Sequence, residues 1–243
     1  MLTFSQICRR GDMLRSTQPE ILDLGPNSFT KEEYDQCLKI LDKVGRWLGG
    51  DRATLHYFSK MSEKPSSVLD VGCGGGHFAI RLAKNYPETQ VLGIDINPYA
   101  IEFAKSQLAA MQRPPSNVTF ELKSAGELDE AEKCFDVVLA CLMCHHFSDS
   151  ELVSFIQQAS LIARKKVIIN DLQRSYFAWL AFKWISPILF SNRVAIHDGL
   201  LSIRKSFTRK EWKNYLMQAG IDPSRYTIKW HWAFRWVVEI NCR

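Results

Sequence analysis

Apolar and polar positions change their rhythm twice along this 243-residue chain. Between residues 17 and 62 the apolar positions recur at helical spacing. Thr30 can cap a helix with Glu33 as its capping-box partner; Leu38, Leu41, Trp47 and Leu48 follow, and Gly49-Gly50 ends the run. From residue 66 the pattern becomes short runs rich in β-branched residues, at 66–71, 90–95, 117–122, 135–140 and 166–170. Helical patterns fit between them at 77–85, 98–111 and 149–163, with a short one near 125–131. Such alternation predicts right-handed crossovers and a parallel sheet covered by helices on both faces.

Beyond Asn170 the alternation stops. Residues 172–206 read as an insertion after the fifth strand, opened by the aromatic-rich run 176–185. A capped helix follows at 208–219, closed by Gly220, and then two strand-like runs at 226–231 and 234–240. The expected division is an N-terminal helical extension, 1–62, and an α/β domain, 63–243, with 172–206 as a lid-like insertion.

Composition narrows the class. Hydrophobic residues make up 46% of the chain, enough for a sizeable core, and the formal net charge is +5. No block of five like charges occurs; Arg9-Arg10 and Arg164-Lys165-Lys166 are short and read as solvated faces, so no nucleic-acid partner is expected. The start of the chain has no apolar run of signal-peptide length, and seven cysteines read as reduced thiols, which predicts a cytoplasmic protein.

The chemistry concentrates where the first strand ends. The register Asp70-x-Gly72-x-Gly74-x-Gly76 joins a strand to a helix through a glycine turn, which delivers a ligand to the carboxyl edge of the sheet. A dinucleotide fingerprint, G-x-G-x-x-G, fails when read from Gly72, because His77 takes the third glycine's place. A degenerate form can be read from Gly74 through Gly76 and Ala79. An acid opening the loop repels a pyrophosphate and suits a ligand carrying an amino group. Asp95 ends the second strand 19 residues after Gly76, where a carboxylate accepts from ribose hydroxyls.

These residues resemble the first two motifs of the class I S-adenosylmethionine-dependent methyltransferases. The run 135–140, with Asp136, looks like their fourth strand, and His145-His146-Phe147 resembles the small-molecule branch that includes ubiquinone and menaquinone biosynthesis enzymes. The resemblance implies a Rossmann-like, mostly parallel seven-stranded sheet with an antiparallel last strand. It implies S-adenosylmethionine as cofactor, S-adenosylhomocysteine as product, and no metal. Gly72, Gly74 and Gly76 would line the methionine part, with Cys73 between them. Asp70 would hold the amino group, Asp95 the ribose and Ile96 the adenine face. Ser124 and Ala125 would border the adenine edge, and Cys141 would sit at the end of strand four. The expected reaction is O- or C-methylation of a small apolar, aromatic or quinol-like acceptor. The alternatives are a nucleic-acid or protein methyltransferase and a non-catalytic cofactor-binding subunit.

Two further features need weighing. Cys141-Leu-Met-Cys-His145 fits the haem-attachment spacing, but at the end of a buried strand it reads as part of the fold; a zinc site lacks a second cysteine pair. His146, just beyond strand four, is the leading acid–base candidate, because an imidazole titrates in the range needed to take a proton from a phenol or enol. His197, beside Asp198 in the insertion, is the second catalytic candidate, and Asp171, Arg174 and Arg204 are candidate substrate contacts. Tyr176, Phe177, Trp179 and Phe182, with Gly199 as a turning point, suggest a lid over the acceptor. The run 172–190 reads equally as a dimer contact or a peripheral membrane patch for a lipid-like acceptor, in a monomer or homodimer.

Overall fold

The computed structural model describes residues 8–9, 12–25, 27–127 and 135–242. Seven strands form the main sheet: β1 (Ser67–Val71), β2 (Gln90–Asp95), β3 (Val118–Leu122), β4 (Phe135–Cys141), β5 (Ala163–Leu172), β6 (Tyr226–His231) and β7 (Arg235–Asn241). Their order is β3-β2-β1-β4-β5-β7-β6. The first five are parallel and β7 runs antiparallel to both of its neighbours. Strand β5 extends beyond its apolar run at both ends: Ala163 pairs with Phe135 of β4, and β7 pairs on through Leu172.

Side chains of alternate parity feed two separate cores. Leu69, Val138, Ile169 and Val238 face one layer, where Ile156 of α5 (Asp149–Ile162) and Trp212 of α8 (Arg209–Gln218) pack. Val68, Leu139, Ile168 and Val237 face the other, against Phe58 of α2 (Gly50–Ser59), Leu82 of α3 (His77–Asn85) and Ile101 of α4 (Pro98–Ala109). A strand buried on both faces favours apolar residues at successive positions, which explains the runs Val68–Leu69 in β1, Val137–Ala140 in β4 and Val167–Ile169 in β5.

The first long helix, α1 (Lys31–Trp47), starts at the Thr30–Glu33 capping box as the spacing predicts. Gly49 then turns in the left-handed region and α2 begins at Gly50, so the glycine pair joins two helices. The short helical pattern expected near 125–131 appears as a 3-10 turn at Ala125–Glu127; its remainder lies outside the described residues. Residues 172–206 hold two helices, α6 (Tyr176–Leu189) and α7 (Arg193–Lys205), packed on each other. Helix α7 also carries α1, through Val194 and Ala195 against Tyr34, Cys37 and Leu38.

Candidate active site

The carboxyl ends of β1, β2, β4 and β5 open into a cavity of about 1040 Å³, roofed by α1 and the segment before it. Gly72, Gly74 and Gly76 all take positive φ, at 69°, 52° and 70°. At Gly72 this is unavoidable, since an added Cβ would lie 2.5 Å from Met143 Cγ. Gly74 opens into the cavity, its nearest neighbour to a Cβ being Leu38 Cδ2 at 3.9 Å. Asp95 fixes the loop: Oδ2 accepts from the Gly74 N–H at 2.9 Å, and Oδ1 from the Asn97 N–H at 2.8 Å. Burial raises the Asp95 carboxyl above its ordinary range, opposed by those two hydrogen bonds.

Beneath the loop, Asp70 is buried and its Oδ1 has no partner among the described residues. Burial, reinforced by the charges of Asp95 and Asp51, pushes this carboxyl up to about 7. An orphaned carboxylate oxygen on a cavity floor is costly unless a donor arrives. A ligand ammonium satisfies it and restores its charge. Cys73 and Cys141 also line the cavity, but burial drives both thiols well above their usual value, so neither is a ready nucleophile. Exposed Ile96, with Ser124 and Ala125, lines the far wall.

The opposite wall holds His146. Its Nδ1 lies 3.2 Å from Asp23 Oδ1, and its Nε2 lies 3.8 Å from Glu20 Oε2. Burial disfavours the charged imidazole, yet the Asp23 hydrogen bond and the Glu20 charge prevail, so its pKa is raised. His145 turns inward, bonded through Nδ1 to Asp171 at 2.7 Å, with its ring tilted against that of His146 and the centroids 4.4 Å apart. Glu20, His145 and His146 offer ligand atoms within 4.8 Å of one another, but the Lys205 ammonium stands 3.5 Å from Glu20 and supplies counter-charge there.

A family model described as a methyltransferase domain matches residues 62–180. Over that segment, just under half of the chain, the sequence is similar to methyltransferase domains. The ajmaline N-methyltransferase of Rauvolfia serpentina is 32% identical over 157 residues, covering 54% of this chain and 53% of that protein. A ribosomal protein L11 methyltransferase of Paraburkholderia phymatum is 36% identical over 165 residues, covering 66% and 49%. The chain therefore spans about half the length of these curated relatives. Plantazolicin methyltransferase, solved in complex with SAH, shares the fold at a TM-score of 0.67 and 17% identity, over 90% of this chain and 91% of that one.

Within the methyltransferase domain, every sequence-predicted cofactor residue except Gly76 lines the cavity. Gly76 instead caps α3, where Phe120 and Ala104 leave no room for a Cβ. The two catalytic candidates part company. His146 lines the cavity, whereas His197 is exposed outside it, bonded to the adjacent Asp198 at 2.8 Å. Arg174 binds Glu211 and the Ser206 carbonyl, Asp171 binds His145, and neither lines the cavity. The Arg204 carbonyl accepts from the Ser16 N–H.

The lid expectation also shifts. No described residue of 172–206 lines the cavity; the roof comes from Leu22, Asp23, Phe29, Tyr34, Leu38 and Leu41. Gly199 is no hinge: it lies inside α7, where an added Cβ would meet Phe182 Cζ at 2.5 Å. The insertion instead ties down the roof. Asp198 accepts from the Ile21 and Leu22 N–H groups at 2.8 and 3.1 Å, Ser202 donates to Glu20, and Lys205 pairs with Asp23 at 3.2 Å. Glu20 and Asp23 were missed from sequence because only this distant strapping brings them to His146. Thr54, Asn170 and Arg235, which line the floor, were missed for the same reason.

Proposed function

We propose that this chain catalyses methyl transfer from S-adenosylmethionine to a small, largely apolar acceptor held between the glycine loop and the N-terminal roof. The observation carrying this reading is Asp70: a buried, unpartnered carboxylate oxygen beneath an open glycine loop, with Asp95 at the loop's far side. That arrangement matches an amino-acid ammonium and a ribose together. Bound there, S-adenosylmethionine supplies an electrophilic methyl group on a good leaving group. Asp70 would receive the ammonium, Asp95 the ribose hydroxyls, and Ile96 would cover the adenine.

The rest of the work is alignment and exclusion of water. Leu22, Phe29, Leu38 and Leu41 above, with Met143 and Phe147 beside them, offer an apolar acceptor a dry surface. His146 is placed to accept the acceptor's proton at Nε2, the ring nitrogen not hydrogen-bonded to Asp23. The relatives' names include N-methylation of ajmaline and methylation of ribosomal protein L11. The cavity's apolar roof favours a small acceptor over a protein surface.

Isothermal titration should show binding of S-adenosylhomocysteine and none of NADH; tight NADH binding would overturn the cofactor assignment. Incubation with methyl-labelled S-adenosylmethionine and panels of phenols, quinols and amines should then label a member of one panel. Labelling confined to ribosomal proteins would sink the small-acceptor reading.

A further inference from the structure

One side of the molecule presents aromatic and aliphatic side chains that no described residue covers. On α6, Phe177, Trp184 and Ile188 are 74%, 68% and 83% exposed, with Ile185 and Leu189 exposed beside them, while Ala178 and Ser186 are buried. The end of β6 and the turn that follows it expose Trp230 and Trp232. The two features are joined: Phe234 packs in one apolar cluster with Trp179 and Phe182, and Trp230 Nε1 donates to Gln173 Oε1 at 2.8 Å, just ahead of α6. At the third corner, exposed Trp47 precedes Leu48, whose carbonyl accepts from the Ala233 N–H at 3.0 Å.

Charge indicates what this face meets. Residues 172–197 contain no Asp or Glu, and neither do residues 223–238. Their arginines are largely engaged within the fold, Arg174 with Glu211, Arg193 with Glu33, and Arg235 by burial. Lys183 and Lys229 remain exposed, with the Lys183 ammonium 5.0 Å from the Trp179 ring centroid. Tryptophan bodies with lysine heads and no acids suit a bilayer interface, where rings sit at headgroup level and ammonium groups reach anionic phosphates. No described helix is long and apolar enough to cross a membrane, so α6 would lie in the interface plane.

The geometry points to a peripheral docking face for an anionic lipid bilayer, built from the outer side of α6 and the Trp230–Trp232 turn. Docking does not depend on the methyltransferase reading. On that reading it gains a purpose: Gly50 and Arg235, which line the cavity, lie against each other next to the turn, so an acceptor dissolved in lipid would be delivered close to the cavity's floor.

Co-sedimentation of the full chain with phosphatidylcholine vesicles, with and without phosphatidylglycerol, tests the inference. The chain should sediment with the phosphatidylglycerol vesicles, its tryptophan emission should shift to the blue, and added salt should weaken the association. A Trp184→Ser/Ile188→Ser variant should lose about tenfold or more in vesicle affinity, while keeping its circular dichroism melt and S-adenosylhomocysteine binding, because both side chains are exposed. Lys183→Glu should weaken binding to the anionic vesicles alone. Failure of the unaltered chain to bind either vesicle would overturn the inference, as would a double variant that binds equally well. A dimer of the unaltered chain that the double variant splits would overturn it too, marking the face as a contact between copies.

Discussion

Asp23 meets His146 across 123 residues of sequence, Oδ2 to Nδ1 at 3.3 Å and Oδ1 at 3.2 Å. The carboxylate arrives from a roof segment that the sheet does not position. Burial opposes its charge, yet the His146 hydrogen bond and charge and the Lys205 ammonium win, and the Asp23 carboxyl falls well below the usual carboxylate range. The pair therefore stays charged, with His146 a stronger base than free imidazole.

A base acts only when unprotonated, so the sign of the rate dependence follows. We predict that kcat rises with pH through a midpoint above the ordinary imidazole value of 6.5. Asp23→Asn should move that midpoint down, and His146→Ala should lower kcat about 10²–10⁴-fold with cofactor affinity unchanged. An unshifted profile in Asp23→Asn would separate the residue from the chemistry.

Asp70 predicts a second pH dependence. Its folded pKa is raised from 3.8 to about 7, so its contribution to stability is full below the unfolded value and lost as pH rises through the folded one. Thermal melts of the ligand-free protein should fall between about pH 4 and pH 8 more steeply than those of Asp70→Asn. Cofactor binding requires the carboxylate, so affinity for S-adenosylhomocysteine should rise through about pH 7 with proton release, and the variant should lose that slope. Parallel slopes in the two proteins would refute this role.

Asp95→Ala should weaken S-adenosylhomocysteine binding by about 1.5–3 kcal/mol, through loss of charge-assisted hydrogen bonds. It also releases the Gly74 and Asn97 N–H groups, so amide exchange at both positions should quicken even without ligand. Titration calorimetry and hydrogen exchange read the two effects separately.

Gly199→Ala tests packing against hinge motion. Forcing a methyl group into the Phe182 ring should destabilise the protein by about 1–3 kcal/mol, seen as a lower melting temperature, with cofactor affinity retained. A variant with normal stability and slowed turnover would restore the hinge reading.

Asp198→Ala should free the roof. The Ile21 and Leu22 N–H groups lose a buried charged acceptor, at a cost of about 1.5–3 kcal/mol. Hydrogen exchange across 15–25 should quicken, and the His146 rate midpoint should drop along with the displaced Asp23. Unchanged exchange there would show that the roof is held by other contacts.

The sheet and its cofactor edge are legible in the order of residues alone. Unbroken apolar runs require strands buried on both faces, and a glycine turn after an acid-bearing strand can open only at the carboxyl edge. Local rules therefore sufficed for Asp70, Gly72, Gly74 and Asp95, whose roles depend on neighbours in the same strand–turn–helix units. Capping followed likewise from Thr30, Asn97 and Thr208, each of which bonds within two or three residues of itself. The acceptor side depends instead on how distant segments pack. The aromatic run after β5 reads the same whether it covers a cavity or faces outward, because a helix's apolar period does not say which neighbour it meets. Residues 172–206 turned out to brace the roof, and the roof is the N-terminal segment. Its Glu20 and Asp23 reach His146 through Asp198, Ser202 and Lys205, contacts spanning more than a hundred residues that no periodicity in the chain records.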